Sequence, residues 1–240
     1  MEIILTGIIV ILTGVSVWHG AKTYNDNKKS RFYWDFFVPQ YMDGVFTFNG
    51  ETIQLKDGRM EIENRAKNIK TYDFAQQARQ NNPPTYENKL AHRLSVVLNR
   101  IGQAAFVGDL PLSYIFPISS RMIIADWEKS VSFVNFLVKD KTMSEYSALN
   151  YNRKFFRWLA CASCMYIVSE GCPEIEVKKQ IGMYAHNTNM KINYKECAEK
   201  MIEEIDMLQK KDESIRAVST VRYVKKLKKK FRKRINECVF

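Results

Sequence analysis

The sequence has little of what usually carries catalysis. Histidine occurs only at His19, His92 and His186. There is no G-x-S-x-G elbow, no H-E-x-x-H motif, no P-loop and no G-x-G-x-x-G after a predicted strand. Acid–base chemistry would have to use His92 with Asp109 or Glu87, whose geometry no spacing fixes. The sequence therefore predicts a non-enzyme that has no catalytic residues and needs no cofactor, with a cryptic enzyme as an alternative.

A disulfide framework is also missing, because the cysteines are odd in number and irregularly spaced. They are Cys161, Cys164, Cys172, Cys197 and Cys238. The C-x-x-C pair could form a zinc site together with Cys172, His186 and Cys197. The pair lies within the apolar helical stretch WLACASCMYIV. Buried, reduced thiols in a cytosolic body are therefore the favoured interpretation, and no metal ligand is predicted.

Charged residues are absent from the stretch IILTGIIVILTGVSVW, residues 3–18. At about 1.5 Å per residue, a helix over 3–20 approaches the ~30 Å of a bilayer core. The sequence therefore predicts a transmembrane anchor over 1–21. A buried core helix and a cleaved signal peptide are the alternatives. Gly7 and Gly14 share one face of this helix, which favours packing between spans.

The charges that flank this segment predict its orientation. Only Glu2 precedes it, whereas four basic residues follow: Lys22, Lys28, Lys29 and Arg31. Positive-inside asymmetry then predicts a single-pass protein of the inner membrane, N-out/C-in, with its body in the cytoplasm.

A juxtamembrane region is predicted over 22–63. It starts with the aromatic stretch Phe32–Phe37, which suits either an interfacial membrane anchor or a core contact. Residues 45–63 alternate between apolar and polar around Asn-Gly and Asp-Gly, which predicts a small β-meander of two or three strands.

The rest of the chain predicts a mainly α-helical, bundle-like body over 64–213. Apolar residues recur at three and four positions through 88–105 and again around Trp127. A capping box at Thr142–Glu145 predicts a long helix that ends at Gly171. Asn193 is predicted to cap a further helix.

The stretch 88–140 resembles the bacterial domain-of-unknown-function family numbered 4760. The matching features are Asn99 in mid-helix, the turn Gly108-Asp109 and a helix carrying Trp127. The family usually has an acidic residue shortly after the Asn, where this chain has Gly102-Gln103. The resemblance implies a membrane-anchored helical protein and no particular activity.

Acidic residues are missing from 222–234, although this stretch holds nine basic ones. These are Arg222, Lys225, Lys226, Lys228, Lys229, Lys230, Arg232, Lys233 and Arg234. Without them the chain has 37 − 9 = 28 Lys and Arg against 26 Asp and Glu, so the net charge of +11 falls to +2. The basicity therefore belongs to a C-terminal helix over 214–240, and phosphate is the expected partner.

Apolar residues also recur along this helix, forming a seam that includes Val224, Leu227, Phe231 and Ile235. Three hypotheses follow. The seam inserts in the cytoplasmic leaflet while the basic residues contact anionic lipid. Alternatively, the seam packs on the body and the basic face binds RNA or DNA. In the third, a docked helix carries charge for solubility only.

The membrane anchor favours lipid, because tethering raises the local concentration of the helix at the bilayer. We therefore expect a membrane-tethered interaction or sensing module, a homo-oligomer or a subunit of a membrane-associated complex. A membrane-anchored nucleic-acid binder, in regulation or defence, is the alternative.

Overall fold

The computed structural model describes residues 22–23, 26–27, 30–42, 45–48, 51–54, 86–139, 153–185 and 193–239. This part of the chain is mainly helical, as predicted. After short helical stretches at 22–23, 26–27 and 30–32 come a π-helical segment, Tyr33–Met42, and a hairpin of β1 (Val45–Phe48) and β2 (Glu51–Gln54). The helices are α1 (Tyr86–Val107), α2 (Leu112–Lys139), α3 (Lys154–Ser169), α4 (Glu174–Ala185), α5 (Tyr194–Lys211) and α6 (Val218–Glu237).

The two strands pair antiparallel, with Val45 opposite Gln54 and Phe48 opposite Glu51. The intervening Asn49-Gly50 is the residue pair that favours a tight hairpin turn. Within the described residues the predicted meander is thus corrected to a two-stranded hairpin. Residues 55–63, where a third strand was predicted, lie outside the described residues.

Helix α3 is the centre of the bundle and contacts α1, α2, α4, α5 and α6. A helix surrounded on all sides has to be apolar on all sides. From Trp158 to Met165 every residue of α3 is buried. Small residues in this stretch, including Cys161 and Cys164, let the neighbouring helices approach closely.

A close helix contact joins α1, at Gly102, to the start of α3. A Cβ atom on Gly102 would lie 2.2 Å from the backbone oxygen of Phe155. Asn99 Oδ1 accepts hydrogen bonds from the backbone N–H groups of Phe155 (3.1 Å) and Phe156 (3.2 Å). It therefore caps α3 from another helix, in place of a local capping residue.

This contact corrects one sequence prediction. Arg153 has a left-handed backbone, with φ of 47°, so no continuous helix runs from the capping box into α3. Helix α3 begins at Lys154, while Thr142–Glu145 lies outside the described residues.

The aromatic segment before the hairpin packs largely on the body. Phe37 and Tyr41 are fully buried, and the Tyr41 hydroxyl donates to Asp126 Oδ2 at 2.8 Å. Trp34, by contrast, is 62% exposed. The core-contact interpretation is therefore correct for Phe37, whereas the Trp34 side chain lies at the surface.

The predicted span, residues 3–20 with Gly7 and Gly14, lies outside the described residues. Among the residues that are described, no helix is both long enough and apolar enough to cross a bilayer.

Candidate phosphate-binding face

Helix α6 lies on the body through its apolar seam. Val224, Leu227, Phe231 and Ile235 are all buried. Thr220 Oγ1 donates to the backbone oxygen of Ala105 at 2.8 Å, which fixes the start of the helix to α1. The seam therefore packs against the body of the protein. The hypothesis that it inserts into lipid is wrong for this docked state.

The far end of α6 is fastened as well. Arg234 Nη2 donates to the backbone oxygen of Cys172 at 2.7 Å, in the turn between α3 and α4. The backbone N–H of Val239 donates to Glu174 Oε2 at 3.2 Å. Because both ends and the seam are held, the side of α6 opposite the seam has a fixed position on the surface.

Four of the nine basic residues predicted to contact phosphate have acidic partners. Lys228 pairs with Asp206 on α5, and Arg232 lies 3.6 Å from Glu199 on the same helix. Lys233 and Arg234 both pair with Glu237, at 3.9 and 3.6 Å. These pairs lower the local positive potential along the α5 side and at the end of α6.

The remaining five form what we call the basic face. Its members are Arg222, Lys225, Lys226, Lys229 and Lys230. At 100° per residue they cover the arc of α6 opposite the seam, over about 12 Å of helix axis. None of them has an acidic partner among the described residues. All five are exposed, so their ammonium and guanidinium groups are available to an external anion.

The chemistry of this face is that of phosphate contact without base recognition. Ammonium and guanidinium groups bind phosphate by charge and hydrogen bonding. Stacking on bases requires exposed aromatic rings. Within the described chain, the rings of α6 are turned towards the body, since Phe231 is buried and Tyr223 packs 6.1 Å from Phe116.

The structure separates the two residues considered for acid–base catalysis. His92 lies near the start of α1, whereas Asp109 follows its end, about 25 Å further along the axis. The His92 ring packs edge-on against Phe133 at 6.2 Å. A catalytic pair of His92 with Asp109 is therefore wrong on geometry, and the Glu87 side chain lies outside the described residues.

His92 should instead make the fold sensitive to acid. Burial, with the charges of Arg153 and Arg93, lowers its pKa from 6.5 to about 4. The unfolded chain therefore takes up the proton first, so stability present above pH 6.5 falls between pH 6.5 and 4. Urea unfolding of residues 22–240 at pH 7 and pH 4.5 measures this effect. The decrease in the free energy of unfolding between the two pH values should be smaller for His92→Gln than for the unsubstituted protein. Equal losses in both proteins would contradict this assignment.

The cysteines occupy packing positions. Cys161 and Cys164 are fully buried in α3, and burial raises the pKa of both thiols well above its usual value. Cys161 Sγ donates to the backbone oxygen of Met201 at 3.3 Å. No group of three or more His, Cys, Asp or Glu within the described residues lies close enough to hold a metal, and His186 is outside them.

A second surface feature is an apolar patch formed by Trp34, Tyr114 and Ile118, of which sequence reasoning considered only the stretch that contains Trp34. These side chains line one shallow groove of about 400 Å³. The spacing of Tyr114 and Ile118 places both on one side of α2, and Trp34 belongs to the aromatic stretch that suited an interfacial anchor or a core contact. Their meeting with Trp34 depends on tertiary packing.

The residues that carry the family resemblance have structural roles here. Asn99 caps α3, Gly108 adopts a φ of +85° in the α1–α2 turn, and Trp127 Nε1 donates to the backbone oxygen of Tyr184 at 3.0 Å. No family model, curated protein or solved structure matches this chain. Membership of the family therefore stays a prediction.

Proposed function

We propose that this chain is a non-catalytic, membrane-tethered interaction module whose basic face contacts anionic phospholipid. Residues 3–20 would span the inner membrane, N-out/C-in, with the body in the cytoplasm. The observation that carries the proposal is the set of five cations that have no acidic partner in the described part of the chain, on a helix fastened to the body. A second copy, or another subunit of a membrane-associated complex, would bind elsewhere on the body.

The expected contact is electrostatic and lies at the membrane surface. Each Lys or Arg close to an anionic leaflet contributes about 1 kcal/mol, so five contribute about 5 kcal/mol before losses from imperfect contact. Because the seam is buried, no hydrophobic insertion of α6 adds to this. The tether would compensate for the missing insertion, because it holds the basic face at high effective concentration beside the bilayer.

Binding to nucleic acid is the second candidate. The observation in its favour is the same docked seam, which leaves a rigid cationic surface suited to backbone phosphates. The inward packing of Tyr223 and Phe231 limits such binding to contacts without sequence preference.

Removing the basic face should abolish most binding to anionic vesicles. The variant replaces all five of its residues by Gln, which keeps helix propensity and removes five positive charges. We expect residues 22–240 to cosediment with vesicles containing phosphatidylserine, and the variant to partition at least about tenfold less.

A matched control removes the same charge from other surfaces. Five exposed basic residues are replaced by Gln: Arg100, Lys179, Lys195, Lys210 and Lys211. The control should retain most of the vesicle binding, because its basic face is intact. Equal losses in both variants would show that net charge alone drives binding and would overturn the assignment to α6.

A further inference from the structure

The apolar patch consists of exposed side chains from two separate parts of the chain. Trp34 is 62% exposed, Tyr114 50% and Ile118 55%. Tyr114 and Ile118 lie one turn apart on α2, and Trp34 comes from the π-helical segment. Tyr33 packs at the same groove and stacks on the buried Phe37 with ring centres 5.2 Å apart, so the patch rests on the core.

The patch is close to the predicted end of the membrane span. Asp26 and Ser30 also line its groove. From residue 20 to Asp26 an extended chain reaches about 20 Å at most. A body of this size is about 40 Å across, so the tether cannot reach around it. With residues 3–20 in the bilayer, the side of the body that carries the groove would therefore lie close to the membrane.

We propose that Trp34, Tyr114 and Ile118 form an interfacial patch that enters the lipid headgroup region. Trp and Tyr favour this zone because an apolar ring and a polar edge suit its two environments. The inference rests on the tether of the proposed function but not on the basic face. It gives the body a second membrane contact, which orients the body relative to the bilayer.

Quenching of Trp34 by brominated lipid tests this inference in the full chain reconstituted in vesicles. Trp18→Phe removes the tryptophan of the predicted span, while Trp127 and Trp158 are buried in the body. We expect brominated phosphatidylcholine to quench this protein. The quenching should be lost when Trp34→Phe is added, and reduced when Tyr114→Ser and Ile118→Ser are added instead.

The outcomes separate the patch from the basic face. Lipid quenching that persists after the five Gln substitutions of the basic face supports the patch even if α6 contacts no lipid. Trp34 quenched by aqueous acrylamide, but not by lipid, overturns the patch while leaving the tether intact. Shielding from both quenchers overturns it in favour of a protein partner. Failure of the chain to float with the vesicles overturns both proposals.

Discussion

Replacing Gly102 by Ala is expected to destabilise the protein by about 3 kcal/mol. The new Cβ would lie 2.2 Å from the backbone oxygen and 2.7 Å from the carbonyl carbon of Phe155. Backbone atoms cannot rotate away as a side chain can. The start of α3 is also held by Asn99, so relieving the overlap would break a cap or separate two core helices.

Chemical denaturation of residues 22–240 measures this effect, with Gln103→Ala as the matched control. Gln103 is the next residue on α1 and is exposed, so its replacement should change the free energy of unfolding by less than about 0.5 kcal/mol. A Gly102→Ala protein as stable as the control would contradict the close approach of α1 and α3.

Replacing Phe231 by Ala should cost about 3–5 kcal/mol, because it empties a large, fully buried site between α6 and the body. A cost of that size is a substantial part of the ~5–15 kcal/mol stability of a typical domain. The measurement is again the free energy of unfolding of residues 22–240.

The neighbouring Arg232→Ala serves as the control for this substitution. Arg232 is exposed and lies 3.6 Å from Glu199, so its removal should cost less than about 1 kcal/mol. A small effect of Phe231→Ala would mean that α6 is not docked in solution, and the seam would again be available to lipid.

Local patterns predicted the helical class, because it depends on short-range periodicity. The turn chemistry of Asn49-Gly50 indicated strand pairing there, but within the described residues this pairing is a two-stranded hairpin and not the predicted meander. The seam of α6 was also visible from its spacing, but its partner was not. A seam of apolar residues suits lipid or protein equally, and only the packing of Phe231 and Leu227 on the body decides between them.

Features that depend on long-range contacts were missed. The left-handed backbone of Arg153 and the cap from Asn99 set the start of α3. The sequence around Lys154 has no Gly or Pro that would have indicated a helix boundary there. The ion pairs between α6 and α5 could not be predicted from the sequence either. Nine basic residues were predicted to contact phosphate, yet Lys228 and Arg232 pair with acidic residues of α5 far away in the sequence.

The most direct test of the basic face compares the two candidate anionic partners. Residues 22–240 would be titrated with phosphatidylserine vesicles and with mixed RNA and DNA, at low and high salt. We expect salt-sensitive vesicle binding that is lost with the basic face, and much weaker binding to nucleic acid. Tight, salt-sensitive binding to nucleic acid with weak binding to vesicles would contradict it and identify a nucleic-acid-binding protein.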